Sequence, residues 1–189
     1  VFANISSVPE AFAAGVLSSE AFSERNSGES DTLFDLVEVE KSGVDFKNPV
    51  AHPQRWRALW QQYFMGTIGT GVAVGDIDGD GLPDLYAVAK EGKNGLFMKR
   101  GGFRFGDGAD QRGVVGGLGF GAGVSMVDID NDGDLDIYVC YVGSKNELYI
   151  NDGSGYFSES AERWGLAIRT GSNAASFCDY DRDGDLDLY

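Results

Sequence analysis

The fold of this protein is decided by residues 123–140, GVSMVDIDNDGDLDIYVC, in which two apolar runs flank a loop of the form D-x-D-x-D-G-x-x-D. The run after the loop is rich in β-branched and aromatic residues and is bounded by turn residues, which is typical of a short strand. Aspartate and glycine in the loop favour a tight turn. This stretch therefore predicts a β-hairpin whose turn concentrates carboxylates.

The same pattern occurs three times along the chain. GVAVGDIDGDGLPDLYAV at 71–88 and AASFCDYDRDGDLDLY at 174–189 align with the first stretch without gaps. The first aspartates of the loops are Asp76, Asp128 and Asp179, so the period is 52 residues and then 51. Self-similarity at such a period indicates stacked repeat units that bury their apolar faces against one another.

Downstream parts of the unit recur as well. Asn94–Gly101 (NGLFMKRG) matches Asn146–Gly153 (NELYINDG) at the same offset of 18 residues from the first aspartate. Short apolar runs separated by turns predict four strands in each unit of about 51 residues, as in a propeller blade. The 28 glycines among 189 residues agree with many tight turns. We predict an all-β fold, a partial β-propeller of four-stranded antiparallel blades with about two and a half blades in this chain.

This periodicity divides the chain into five parts. Residues 1–32 show no repeat and are predicted to form a poorly structured extension. Apolar residues recur at helical spacing over 55–65, which predicts a short helix there. We expect the chain to be a piece of a longer propeller, because so few blades cannot close a ring. The other parts are 33–68, with an outer strand of a preceding blade plus a helical or loop insertion, the blade repeats 69–118 and 119–170, and the truncated start of a third repeat at 171–189.

The acidic loops predict about three calcium sites. Calcium takes six to eight oxygens, and such a loop offers carboxylates at positions 1, 3, 5 and 9, with glycine at position 6 and a backbone carbonyl at position 7. A helix–loop–helix calcium hand would need glutamate at position 12, where Ala87 and Val139 stand in strand-like runs, so the aspartate at position 9 is the predicted closing ligand. The predicted ligands are Asp76, Asp78, Asp80, the Leu82 carbonyl and Asp84; Asp128, Asp130, Asp132, the Asp134 carbonyl and Asp136; and Asp179, Asp181, Asp183, the Asp185 carbonyl and Asp187.

Two alternatives compete with calcium at these loops. Aspartate and glycine favour hairpin turns even without a metal, but three loops with every acidic position filled argue against turns alone. Magnesium fits less well than calcium, because it prefers a smaller, stricter octahedron and keeps its waters.

The charge and composition exclude several classes of function. The formal net charge is −15, from 30 acidic and 15 basic residues, and such an acidic chain repels nucleic acid. Fourteen of the 30 acidic residues lie in the three loops, and three divalent cations would change the charge from −15 to −9. No apolar run is long enough to span a membrane. Cys140 and Cys178 are too few for a disulfide framework, and their apolar surroundings predict buried free thiols.

The units resemble FG-GAP/VCBS-type repeats, the blades of the integrin α-subunit propeller. Phe120-Gly121 followed by Gly123-Val124-Ser125 and the second acidic loop is similar to the namesake pattern. FDLVEVEKSGVDF at 34–46, followed by GTGVAVGD at 69–76, resembles the cartilage acidic protein/UnbV group. The first unit departs from the namesake pattern, because Gly69-Thr70-Gly71 lacks its phenylalanine. The resemblance implies a seven-bladed propeller, an extracellular, cell-surface or periplasmic location and a binding role.

Two functional hypotheses follow. The first is a non-enzymatic calcium-binding module for extracellular binding or adhesion to a protein or glycan, with any ligand site on the face opposite the acidic loops. No motif pairs the single histidine, His52, with a serine or cysteine nucleophile. The alternative is the substrate-binding propeller part of a secreted hydrolase or lyase whose catalytic domain lies outside this sequence.

Overall fold

A computed structural model describes residues 37–49, 70–117, 119–169 and 171–189. Across these ranges the chain is all-β except for two single-turn helices, α1 (Val39–Ser42) and α2 (Ala109–Arg112). Neither is long or apolar enough to cross a membrane. The predictions for 1–32 and for a helix at 55–65 lie outside the described residues.

The strands form antiparallel sheets in chain order. An acidic loop joins the first strand of each sheet to the second, as the sequence predicts. The described strands confirm an all-β fold with four-stranded antiparallel blades, whereas the boundaries of the repeats stay a prediction. The first sheet holds β1 (Val72–Gly75), β2 (Asp84–Ala87), β3 (Gly95–Lys99) and β4 (Phe105–Asp107); the second holds β5 (Phe120–Val127), β6 (Asp136–Val142), β7 (Glu147–Asn151) and β8 (Phe157–Glu159); and β9 (Phe177–Cys178) pairs with β10 (Asp187–Leu188).

The apolar core lies between successive sheets, and β6 is buried on both of its faces. Successive side chains of a strand point to opposite faces. Accordingly, Ile137 and Val139 pack in a cluster with residues of the first sheet, whereas Tyr138 and Cys140 pack in a cluster toward β9 and β10. Burial on both faces explains why β6 is a continuous apolar run instead of an alternating one.

The first strands of neighbouring units lie side by side. A Cβ atom on Gly71, just before β1, would lie 2.7 Å from the backbone nitrogen of Val124 in β5, so only glycine fits there. The Ser125 hydroxyl of β5 donates a hydrogen bond of 3.1 Å to the Ala175 carbonyl of the third unit. This arrangement is consistent with partial propeller blades, in which the first strands are innermost.

The two cysteines differ in their surroundings. Both are free, and Cys140 is buried, as predicted, whereas Cys178 is exposed. The aromatic ring of Phe177 packs edge-on against Tyr138 at 5.7 Å, so that the next residue, Cys178, points to the opposite face of β9. None of the described residues covers that face. The prediction of burial is therefore wrong for Cys178.

The helix α1 repeats a feature of the first unit. It ends at Gly43, which has a φ of 74°, just as α2 ends at Gly113, which has a φ of 81°. A Cβ atom on Gly43 would lie 2.3 Å from the Phe105 carbonyl oxygen, so α1 packs directly against β4. The predicted outer strand before α1 lies mostly in residues that the structure does not describe.

A buried asparagine recurs between the second and third strands of the first two units. The Asn94 Oδ1 atom accepts a hydrogen bond of 2.9 Å from the Ala89 N–H, and its Nδ2 atom donates to the hydroxyls of Tyr86 at 3.0 Å and Tyr141 at 3.1 Å. Since Tyr141 belongs to the second sheet, Asn94 also joins the two sheets. Asn146 makes the equivalent bonds to the Tyr141 N–H and the Tyr138 hydroxyl.

We expect Asn94→Ala to lower the free energy of unfolding by about 2–3 kcal/mol, because it leaves the buried Ala89 N–H without an acceptor and removes the hydrogen bonds that the Tyr86 and Tyr141 hydroxyls accept. Denaturant unfolding followed by fluorescence measures this change. Asn173→Ala, at an exposed position, is the matched control and should change the free energy of unfolding by less than about 0.5 kcal/mol. Equal effects of the two substitutions would contradict the role of Asn94.

Candidate metal sites

The three acidic loops bring together the carboxylates of positions 1, 3 and 9. In each loop, one carboxylate oxygen from each of these three residues lies within 4.8 Å of the others. This is the spacing at which three oxygens can share one cation. The groups are Asp76, Asp78 and Asp84; Asp128, Asp130 and Asp136; and Asp179, Asp181 and Asp187.

In the first two loops the aspartate at position 9 is buried where the second strand begins, whereas Asp187 of the third loop is exposed. Asp136 is 0% exposed, and its two oxygens accept hydrogen bonds from the Ile129 N–H at 3.0 Å and the Asn151 N–H at 2.8 Å. Asp84 in the first loop is 1% exposed and accepts equivalent bonds from Ile77 and Lys99. Each carboxylate thus joins the start of its loop to the end of the third strand.

Burial disfavours the ionised form of these two carboxylates. Loss of solvation raises the pKa of Asp136 to about 6, against the opposing effect of its two backbone hydrogen bonds, and it also raises the pKa of Asp84. A cation bound nearby favours the ionised form of a carboxylate. The buried carboxylates therefore suit a site that receives positive charge.

The aspartate at position 1 shapes the turn itself. The oxygens of Asp128 accept hydrogen bonds from the Asp132 N–H at 3.1 Å and the Gly133 N–H at 3.0 Å, and Asp76 does the same in the first loop. Gly133 has a φ of 97°, a conformation that strains any residue with a Cβ atom. The glycine at position 6 is thus required by the turn, as the sequence predicts.

The aspartates at position 5 stand apart from the three converging groups. The Oδ1 atoms of Asp80, Asp132 and Asp183 accept hydrogen bonds of 2.8, 3.1 and 3.0 Å from the N–H groups two residues later. Those N–H groups belong to Leu82, Asp134 and Asp185, the residues whose carbonyls are predicted ligands. Position 5 therefore fixes position 7 in each loop.

The donor set fits a hard divalent cation. Asp78 Oδ1 and Asp134 Oδ1 are buried and have no hydrogen-bond partner in the described part of the chain, although a buried polar oxygen normally has one. The pKa of Asp134 is raised by burial and by the charges of neighbouring aspartates. Oxygen ligands without nitrogen or sulfur are the set that calcium prefers. These unsatisfied oxygens are where a cation would be expected.

Two side chains near the loops escaped the sequence reasoning. The Asn151 amide donates hydrogen bonds to the Ile77 carbonyl of the first loop at 2.8 Å and to the Leu135 carbonyl of the second at 3.0 Å. Arg112 donates to Asp78 of the first loop at 3.1 Å. Neither residue has an identical counterpart at the equivalent position of the other unit, so the comparison of the repeats does not identify them. The recurrence of Asn94 and Asn146, in contrast, was visible in the sequence.

Comparison with known proteins matches the model of the FG-GAP-like repeat to residues 76–139 and 128–189, which together span more than half of the chain. The chain is also similar to cartilage acidic protein 1. Identity is 27% over 126 residues with the Xenopus tropicalis protein and 29% over 126 residues with the Homo sapiens protein, in each case 65% of this chain. It is 33% over 84 residues, 44% of this chain, with the Mus musculus protein. The chain spans 19%, 19% and 13% of the length of these relatives.

The turn geometry makes a prediction that does not depend on metal. Gly133→Ala should lower the free energy of unfolding in chelator by about 1–2 kcal/mol, because alanine is strained at this φ although its Cβ atom would meet nothing within 4 Å. Gly171→Ala, which also meets nothing within 4 Å and has no positive φ, is the control. Denaturant unfolding compares the two, and an equal loss would show that backbone strain is not the cause.

Proposed function

Because the chain belongs to the FG-GAP-like repeat family, we propose that it is a calcium-binding β-propeller module for extracellular binding or adhesion. The observation that carries the proposal is the convergence of three carboxylates in each acidic loop. Cartilage is an extracellular tissue, so the name of cartilage acidic protein 1, which the chain resembles in part, supports the proposed placement outside the cell or at its surface.

Each proposed site is built by one hairpin. The aspartates at positions 1, 3 and 9 supply converging oxygens, while position 5 and the position 7 carbonyl are the further proposed ligands. Bound calcium would supply two positive charges to carboxylates that otherwise repel one another. In the second loop the ligands are Asp128, Asp130, Asp132, the Asp134 carbonyl and Asp136.

Stabilisation follows from the position of the buried aspartates. Asp84 and Asp136 hold the loop to the third strand, and a partner cation would remove the cost of burying their charge. A ligand that binds only the folded state stabilises it by mass action. Dissociation constants of about 10⁻⁴–10⁻³ M would suffice in calcium-rich extracellular fluid. The role proposed for calcium is therefore structural.

The partner surface is proposed at the end of the sheets opposite the acidic loops. The turn between β6 and β7 lies there, and an open cavity of about 360 Å³ is lined by residues that include Ser144, Lys145, Glu147 and Arg169. The Glu147 carboxylate accepts hydrogen bonds from the hydroxyls of Tyr141 and Tyr149 at 2.8 and 2.7 Å. Fixed polar groups of both charges suit a protein or glycan partner.

The module is proposed to be non-catalytic. The clustered aspartates that could suggest an acid–base pair of carboxylates are those that the proposal assigns to calcium. No observation on the described residues favours the alternative of a substrate-binding part of a secreted hydrolase or lyase.

Removal of calcium should lower the stability of the protein. We expect chelator to reduce the free energy of unfolding by about 1–3 kcal/mol for each loop that is occupied beforehand. Thermal unfolding in excess calcium, in chelator, and in chelator followed by magnesium measures the effect. Calcium should restore the melting temperature and magnesium should restore less of it. If the melting temperature is the same in all three conditions, the proposal of structural calcium is wrong.

Loss of one ligand should affect one loop. Asp130→Ala is expected to remove about one bound calcium per chain in titration calorimetry, because its oxygen is one of three that converge in the second loop. Affinity at the other loops should change by no more than about twofold. Asp110→Ala, an exposed carboxylate outside the loops, is the matched control. An equal loss at all loops would refute separate sites.

A further inference from the structure

One arginine connects the first acidic loop with the second sheet. Arg112 lies at the end of α2, and its Nη2 atom donates a hydrogen bond of 3.1 Å to the Asp78 carboxylate. Its Nη1 atom donates to the carbonyls of Ser154 and Gly155, each at 2.8 Å, in the turn between β7 and β8. The guanidinium also lies 5.1 Å from the centre of the Tyr156 ring. A single side chain thus joins a proposed calcium ligand to the neighbouring blade.

This contact is largely withdrawn from solvent. The side chains of Arg112 and Asp78 are only 14% and 19% exposed. A Cβ atom on Gly155 would lie 2.1 Å from Arg112 Nη1, so the turn needs glycine to admit the guanidinium. A guanidinium keeps its positive charge at any ordinary pH. The first loop therefore has a permanent cation beside one of its three converging carboxylates.

No cation among the described residues takes the equivalent place beside the second loop. Arg112 follows Asp78 by 34 residues, and the residue 34 after Asp130 is Trp164. Trp164 lines an open cavity together with Asp130, so it lies near the equivalent place beside the second loop, but it carries no charge. No described Lys or Arg forms an ion pair with Asp128, Asp130 or Asp136. The two loops thus share their ligand pattern and differ in their surroundings.

We propose that Arg112 is a built-in counter-ion of the first loop, so that this loop keeps its shape without calcium and binds calcium more weakly than the second loop does. The inference rests on the calcium binding proposed above. A positive charge next to the Asp78 carboxylate stabilises it when no metal is present and repels an incoming divalent cation. The bonds to Ser154 and Gly155 keep Arg112 in place, so it cannot swing away without breaking the contact between the sheets.

The test is to remove the charge with Arg112→Gln in the purified protein. Calcium is titrated while the backbone amide signals of Gly81 and Gly133, the glycines at position 6, report the two loops separately. In the unaltered protein we expect the first loop to bind more weakly. In the variant its affinity should rise about tenfold while that of the second loop stays unchanged. The melting temperature in chelator should fall, because the bonds between the sheets are lost.

Two further variants separate charge from structure. Arg163→Gln removes an arginine of the second unit that forms no ion pair within the described ranges, and should leave both affinities unchanged. Arg112→Lys keeps the charge but lacks the planar fork, so it should lower the melting temperature in chelator and leave the first loop weak. If Arg112→Gln does not fold, the comparison of the two loops in the unaltered protein tests the inference, and a first loop that binds calcium as tightly as the second overturns it.

The outcomes are distinguishable. A rise in affinity confined to the first loop in Arg112→Gln, together with a first loop that stays weak in Arg112→Lys, supports the inference. If Arg112→Gln leaves the affinity of the first loop unchanged or lowers it, calcium binding stands and only the counter-ion role is overturned. If neither loop of the unaltered protein binds calcium, the proposed function fails and the inference fails with it.

Discussion

The buried aspartate at the start of the second strand in each of the first two units is the constraint on which the rest of the structure depends. Asp136 accepts hydrogen bonds from the beginning of its own loop and from the backbone of Asn151 at the end of β7. The Asn151 side chain then reaches the carbonyls of Ile77 and Leu135, one in each of two neighbouring loops. A chain of hydrogen bonds therefore runs from one hairpin to the next. The buried Asp136 carboxylate, which water does not reach, therefore connects the hydrogen bonds of its own turn to those between neighbouring units.

The two ends of the sheets differ in their polar groups: the loop end carries clustered charge, and the other end carries neutral hydrogen bonds. At the loop end, negative charge is concentrated, and only the Arg112 guanidinium among the described side chains forms an ion pair with a loop carboxylate. At the other end, asparagine and tyrosine side chains satisfy buried polar groups without net charge, as Asn94 does with Tyr86 and Tyr141. The apolar core between the sheets separates the two. Metal dependence is accordingly expected to reside at one end, while the contacts at the other end persist without it.

The sequence predicted what repetition and local chemistry encode. Three acidic hairpins, an all-β fold and the need for glycine at Gly133 follow from the spacing of aspartates and glycines within short segments. What escaped prediction depends on contacts between units. Arg112 pairs with Asp78 because α2 holds it beside the turn between β7 and β8. The second unit has Trp164 at the equivalent position, so no repeated residue marked Arg112 as important. The exposure of Cys178 likewise depends on which face of β9 is covered, and its apolar neighbours in the sequence do not encode that.

The double burial of β6 gives its residues separate evolutionary constraints. Val139 contacts the sheet before it, while Tyr138 and Cys140 contact the unit after it. Neighbouring codons in one strand are thus under selection from different partners, and a change at one of them can be compensated only in the blade that it faces. Co-variation among relatives should accordingly follow an odd–even rule along this strand, with each parity linked to a different repeat.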